Sequence, residues 1–202
     1  TLFADGHNID QPIYYKKGNT PELAHKTNGW IDSDPKAFTD WFNEKAEKEP
    51  QLRKLVCYGK GWCDNREYEN ESKLMPSGLI ITILFAENAI YRKDRDDIAL
   101  KETLREVQRK LKISFECRRP TIPKGENLLA NYGHKDYFMD CLAKFIDDAS
   151  KGLQEKNFKK ATELWRKHLS DRFPLGDDED ETSNASVGLG TIITPTTKPY
   201  AE

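Results

Sequence analysis

The sequence predicts an α+β protein with a few strands at its beginning and a mainly helical remainder. Between residues 8 and 15, apolar and polar side chains alternate with the period of two that is typical of a strand. From Ser33 onward, apolar side chains instead recur three and four residues apart, which is the period of a helix. The change of period near residue 32 therefore divides a strand-forming segment from a helical one.

The strand prediction depends on one short segment. Ile9, Ile13 and Tyr15 fall on one face of an extended chain and Asp10 falls on the other. Because proline cannot donate a ladder hydrogen bond, Pro12 indicates an edge strand or the end of a strand.

Six helices are predicted after this segment. The first begins at Ser33-Asp34-Pro35, where a capping side chain is followed by a proline suited to the first turn. The third is apolar on most faces and is therefore expected to be central. The apolar positions that define the helices are, in chain order, Phe38, Trp41 and Phe42; Leu52, Leu55, Val56 and Trp62; the segment Ser77–Tyr91; Leu100, Leu104, Val107 and Leu111; Phe138, Leu142, Phe145, Ile146 and Ala149; and Phe158, Ala161, Leu164 and Trp165. The segment Arg118–Tyr132, with two prolines, is predicted to be a long loop, and the four tryptophans (Trp30, Trp41, Trp62 and Trp165) are predicted to be core residues.

Charge and composition exclude several classes of protein. The 202 residues carry a net charge of −2, which argues against a strongly basic nucleic-acid binder. No apolar run approaches the length of a membrane span, and the first residues carry neither the basic region nor the apolar region of a signal peptide, so a cytoplasmic protein is expected. The four cysteines lack the spacing of a zinc site and are interpreted as reduced thiols. Residues 177–202, with six acids and one base, carry −5, whereas the remainder carries +3.

Three residues are candidates for chemistry, and each has a simpler interpretation. Asp10, on the polar face of the strand, can bind a hard cation, or it can be an ordinary solvated residue. Lys60, between two glycines, can reach a phosphate, although most surface lysines have no such role. Ser77 begins a buried helix, where a hydroxyl beside free amides can bind phosphate or simply cap the helix.

Five segments in this order resemble one family. They are the strand His7–Tyr15, the segment Glu22–Phe42, the helix Leu52–Trp62, the helix Leu74–Asn88 and the segment Leu164–Gly176. Together they are similar to the bacterial cyclic-oligonucleotide synthases, the relatives of cyclic GMP-AMP synthase found in anti-phage signalling systems. The resemblance covers residues 3 to 176.

The resemblance implies a polymerase-β-like nucleotidyltransferase core followed by a helical C-terminal lobe. On this basis residues 1–32 are the last part of the core, residues 33–176 form the lobe that closes the nucleotide cleft, and residues 177–202 form a tail. Such an enzyme makes a cyclic di- or trinucleotide second messenger from ATP, GTP or other NTPs with Mg²⁺ or Mn²⁺.

The resemblance also assigns roles to the candidate residues. Asp10 matches the third catalytic, metal-binding carboxylate of the family, and Lys60 and Ser77 match its triphosphate-contacting residues. Gly78 stands where many relatives have an aromatic residue that stacks on a base. The family's Gly-Ser loop and paired Asp-x-Asp do not precede Asp10, so the chain is expected to lack the first part of the core and to be inactive alone.

In some members of the family, a partner with ubiquitin-activating (E1) and ubiquitin-conjugating (E2) parts attaches the C-terminus of the synthase to targets. The tail is rich in Ser, Thr, Gly and Pro, and its last residues, Pro199, Tyr200, Ala201 and Glu202, are the candidates for such capture, although family tails usually end on a small residue. Two alternatives remain open for the whole chain. One is a non-catalytic helical docking module held by a partner through its tail, and the other is a polymerase-β-like transferase acting on RNA ends.

Overall fold

A computed structural model of the protein describes residues 12–18, 20–70 and 72–180. The described chain begins with a three-stranded antiparallel sheet in the order β1-β2-β3. The strands are β1 (Tyr14–Lys17), β2 (Thr20–His25) and β3 (Gly29–Asp32). With the six helices that follow, the sheet confirms the predicted α+β class.

The predicted strand is only partly described. Tyr14 and Tyr15 lie in β1, at an edge of the described sheet, and Ile13 just before it accepts a hydrogen bond from the N–H of Ala24 at 2.9 Å. The segment from residue 8 to residue 11, including Asp10, lies outside the described residues. Strands β2 and β3 were not predicted individually.

All six predicted helices are present. They are α1 (Pro35–Lys48), α2 (Gln51–Asn70), α3 (Gly78–Asn88), α4 (Asp96–Ile113), α5 (Lys135–Gly152) and α6 (Phe158–Leu169), and a 3₁₀ turn, Ser170–Arg172, follows the last. The predicted cap of α1 is confirmed, because the Asp34 carboxylate accepts the Ala37 N–H at 2.9 Å and Pro35 occupies the first turn.

The core is formed where the helices pack around α3. Every residue of α3 from Ile80 to Ala86 is buried, which confirms the prediction that this helix is central. Trp62 of α2 is fully buried and packs against Phe138 and Phe145 of α5, with ring centroids 5.9 and 5.5 Å away. A helix enclosed in this way has a fixed position, and so do the residues at its ends.

The prediction that all four tryptophans are core residues is wrong for Trp30. This side chain is 52% exposed, on the sheet, and its ring centroid lies 5.9 Å from that of Tyr15. Trp30 belongs to β3, at one edge of the sheet, on a face that no other described element covers.

The remaining expectations concern loops and cysteines. The segment between α4 and α5 is irregular, with one isolated bridge between Arg118 and Asn127. All four cysteines are free thiols, and three of them are buried. Among residues 12–18, 20–70 and 72–180, no helix combines the length and apolar character that crossing a bilayer requires.

Candidate functional site

The fold brings two of the three candidate residues together, on neighbouring helices. Lys60 lies in the middle of α2, and Ser77 is the residue that caps α3. The Lys60 side chain extends over the first residue of α3: its Cε lies 3.5 Å, and its Cδ 3.9 Å, from the position that a Cβ atom of Gly78 would occupy. The end of the Lys60 side chain therefore lies near the N-terminus of α3.

Gly59 explains why α2 approaches α3 so closely. A Cβ atom at Gly59 would lie only 2.7 Å from Cζ of Phe85 and 3.0 Å from Cγ2 of Ile81, both of which are buried in α3. Without a side chain at this position, the backbone of α2 rests directly on the Phe85 ring. Lys60, one residue further along, is thereby placed within reach of the beginning of α3.

The beginning of α3 offers hydrogen-bond donors to the solvent. The Ser77 hydroxyl accepts the Ile80 N–H at 3.5 Å, a long cap interaction, and Ser77 itself is exposed. The amides of Gly78 and Leu79 belong to the first turn, whose N–H groups have no acceptor within the helix. Ser77 is thus an N-cap, as its simpler interpretation requires, and it also stands beside free donors.

The start of α3 has no acidic side chain to balance its partial positive charge. A helix N-terminus carries a partial positive charge and is stabilised by acidic residues, yet the first turn of α3 has none. The first turns of α4 and α5 contain acidic residues, whereas those of α1, α2 and α6, like that of α3, contain none. A lysine near the N-terminus of α3 adds positive charge to positive charge, and within the described part of the chain Lys60 forms no ion pair. The combination of Lys60, the Ser77 hydroxyl and two free amides can bind a polyanion such as a phosphate chain.

The same groups do not fit a metal ion. Divalent Mg²⁺ requires oxygen ligands, chiefly carboxylates, and the site provides an ammonium group and N–H donors. No group of three or more His, Cys, Asp or Glu side chains suited to a metal occurs among the residues that the structure describes. Asp10, the predicted metal ligand, lies outside those residues, as do Pro199, Tyr200, Ala201 and Glu202.

Arg172 also belongs to this region, although no local pattern in the sequence indicates a role for it. Its Nη1 donates a hydrogen bond to the carbonyl oxygen of Gly61 at 3.1 Å and lies 3.5 Å from Oδ2 of Asp64. A Cβ atom at Gly61 would lie 3.3 Å from the same nitrogen, so this glycine accommodates the guanidinium. More than a hundred residues separate Arg172 from α2 in the sequence, and no local pattern connects them.

Comparison with known proteins places this architecture in a class. No model of a protein family matches the chain. The structure resembles that of the GTP-bound dinucleotide cyclase DncV of Vibrio cholerae, with a TM-score of 0.68 and 18% identity over 83% of this chain and 47% of that one. It also resembles the Escherichia coli DncV bound to 3′-deoxy GTP, with a TM-score of 0.57 and 15% identity over 80% of this chain and 52% of that one. The chain therefore shares the fold of the DncV structures, with few strands and a mainly helical C-terminal part.

Sequence similarity points to the same proteins as the structural comparison. The chain is 32% identical over 197 residues to a cyclic GMP-AMP synthase of Escherichia albertii, a match that covers 92% of this chain and 41% of that protein. Over nearly its whole length the chain is therefore similar in sequence to a cyclic GMP-AMP synthase, and its structure resembles that of the DncV cyclases. It spans less than half of the length of the relative to which it is matched.

Proposed function

We propose that the chain is part of an enzyme that joins NTPs into a cyclic di- or trinucleotide, and that Lys60 and Ser77 bind the triphosphate of a substrate. The observation that carries this proposal is the placement of the Lys60 side chain over the first residue of α3. The names of the relatives support it, since one is a cyclic GMP-AMP synthase and the Vibrio cholerae cyclase has been solved with ATP and GTP.

The chemistry of the proposed reaction explains why such a site is needed. The oxygen of a ribose hydroxyl attacks the α-phosphorus of an NTP and gives up its proton to a carboxylate or to water. The bond from that phosphorus to the bridging oxygen breaks, and pyrophosphate leaves with the electron pair of that bond. Negative charge grows on the leaving group, and donors that are already in position stabilise this charge without reorganisation. Lys60 neutralises it, whereas the Ser77 hydroxyl and the amides of α3 orient it.

Three further parts of the proposal concern regions around the site. Asp10 would be the catalytic carboxylate and a ligand of Mg²⁺ or Mn²⁺. Residues 1–32 would complete a catalytic core, and residues 33–176 would form the lobe that closes the cleft, an assignment supported by the boundary between β3 and α1 at residues 32 to 35. Because the family's other two carboxylates do not precede Asp10 in this chain, the chain alone would make no product.

The tail would connect the enzyme to anti-phage defence through capture or conjugation by an E1/E2-like partner. The place where the tail leaves the helices supports this role. Asn157, the cap of α6, donates to the carboxylates of both Asp178 and Asp180 at 3.1 Å, so the first residues of the tail are attached to the start of α6. The 22 residues from 181 to 202 would extend from this anchored point to the partner.

The proposal is tested by incubating the complete natural protein with labelled ATP and GTP, with and without its partner. We expect a cyclic product that resists phosphatase. Lys60→Met and Ser77→Ala should reduce its formation, the first about tenfold or more because a charge-assisted contact is lost. Lys151→Met, which removes an exposed lysine of α5 instead, is the matched control. A linear product attached to an RNA end would favour an RNA-end transferase, and the absence of any product with all partners present would refute the proposal.

A further inference from the structure

Lys60 has a potential ion-pair partner on its own helix, and the structure keeps the two apart. Asp64 follows Lys60 by four residues, so both side chains project from the same face of α2. Another lysine and aspartate with the same order and spacing, Lys36 and Asp40 on α1, form an ion pair of 2.5 Å. Lys60 and Asp64 form none.

Arg172 accounts for the difference. Its guanidinium group pairs with Asp64, and Nη1 lies 3.5 Å from Oδ2. The same nitrogen donates a hydrogen bond to the carbonyl oxygen of Gly61 at 3.1 Å. The 3₁₀ turn after α6 presents Arg172 to α2, and Gly61 leaves room for it. Arg172 thus supplies Asp64 with a positive charge from outside the helix.

We propose that Arg172 is a positioning residue of the triphosphate site, which occupies Asp64 and so leaves Lys60 available to a nucleotide. This inference rests on the proposed function of Lys60. Without Arg172, the Asp64 carboxylate would compete with the phosphate chain for the Lys60 ammonium group. The Lys60 side chain would then turn along α2 and away from the N-terminus of α3.

The expected effect is that of one exposed ion pair competing with the ligand. Arg172→Ala should weaken the binding of a non-hydrolysable ATP analogue about two- to fivefold. Asp64→Asn removes the competing charge and should tighten binding by up to about twofold. In the double variant Arg172→Ala/Asp64→Asn, the affinity should equal that of Asp64→Asn alone, because Arg172 then has nothing left to neutralise.

The experiment measures the dissociation constant of α,β-methylene ATP by titration calorimetry with the complete natural protein at low salt. Arg172→Lys keeps the charge, so its dissociation constant should stay within about twofold of that of the unmodified protein. This variant shows whether weaker binding by Arg172→Ala comes from the lost charge or from a loss of folding. Arg109→Ala is the matched control, since Arg109 of α4 is similarly exposed (54% against 58%) and is also paired with a carboxylate. It should leave the dissociation constant unchanged.

Two results would overturn the inference. If the double variant binds as weakly as Arg172→Ala, Arg172 acts on the nucleotide directly or through Gly61 rather than through Asp64. If Arg172→Ala binds the ATP analogue as tightly as the unmodified protein does, Arg172 has no part in the site. Lys60→Met separates this inference from the proposed function: a loss of about tenfold or more supports the triphosphate site whatever Arg172 does, and no loss refutes both.

Discussion

Two glycines on the same helix are expected to respond in opposite ways to the same substitution. Replacing a glycine by alanine inside a helix stabilises it by about 1 kcal/mol when the new methyl group has room. At Gly61 the neighbour of that methyl group is Nη1 of Arg172 at 3.3 Å, the end of a flexible exposed side chain. Gly61→Ala should therefore stabilise the protein by about 0.5–1 kcal/mol, with the guanidinium moving aside.

At Gly59 the methyl group would meet the core. It would lie 2.7 and 2.8 Å from two ring carbons of Phe85 and 3.0 Å from Ile81, and both residues are at least 99% buried. Overfilling a packed core costs about 1–3 kcal/mol, which exceeds the helix-propensity gain. Gly59→Ala should therefore destabilise the protein by about 0–2 kcal/mol, so that the two variants differ by about 2 kcal/mol.

Urea unfolding followed by circular dichroism measures this difference, and equal slopes in the two variants would show that only stability has changed. A second measurement concerns the site, since separating α2 from α3 moves Lys60 away from Ser77. Gly59→Ala should weaken the binding of the ATP analogue while the unrelated substitution Lys151→Met leaves it unchanged. If Gly59→Ala proves as stable as Gly61→Ala, the close packing of α2 on α3 is not as described and the explanation of the site through Gly59 fails.

Three other predictions follow from single contacts. Lys60→Met should stabilise the ligand-free protein by about 0.3–1 kcal/mol, because it removes a positive charge from the partly positive N-terminus of α3. Urea unfolding at low salt measures this gain, and a loss of stability would contradict the prediction. Burial lowers the pKa of His168 below its usual 6.5, and the hydrogen bond to Asp148 at 2.9 Å only partly opposes this shift. The unfolded chain therefore binds a proton at higher pH than the folded chain, so the free energy of unfolding should fall as the pH is lowered through about 6.5. This loss of stability should be absent in His168→Gln. If the loss persists in His168→Gln, another group causes it. Asn157→Ala should destabilise the protein by about 1 kcal/mol because α6 loses its cap. The same substitution should expose the segment around Asp178 to proteolysis. An unchanged cleavage pattern would show that other contacts hold this segment.

The helices were predictable because burial imposes its period on the sequence. The apolar stripe of α4, for example, recurs at Leu100, Leu104, Val107 and Leu111, and all four side chains are buried. The strands were harder because they are short and their side chains are largely exposed, so alternation is weak. Strand β2 contains Pro21 and a histidine, which are not typical of a strand. Trp30 in β3 is a residue type usually found in a core, although here it is exposed.

The sequence singles out the residues of the candidate site one by one, but it does not show how they are arranged. Lys60 and Ser77 stand out locally, one between glycines and the other before a buried apolar helix. Nothing in their spacing shows that Lys60 reaches the first residue of α3, because this depends on how α2 and α3 pack. The two glycines that flank Lys60 look alike in the sequence, yet Gly59 contacts Phe85 and Gly61 contacts Arg172.

The two parts of the candidate site differ in burial, and this difference suggests different roles. Because α3 is buried on nearly every face, its first amides are held in place by the core and need no ordering when an anion binds. Lys60, in contrast, is an exposed and flexible side chain whose direction depends on competing charges. In the proposed triphosphate site, the fixed amides would define where a phosphate chain lies, and the availability of Lys60 would determine how tightly it is bound. Substitutions at Asp64 and Arg172 should therefore change affinity for the nucleotide, whereas substitutions beneath α3 should change stability and affinity together.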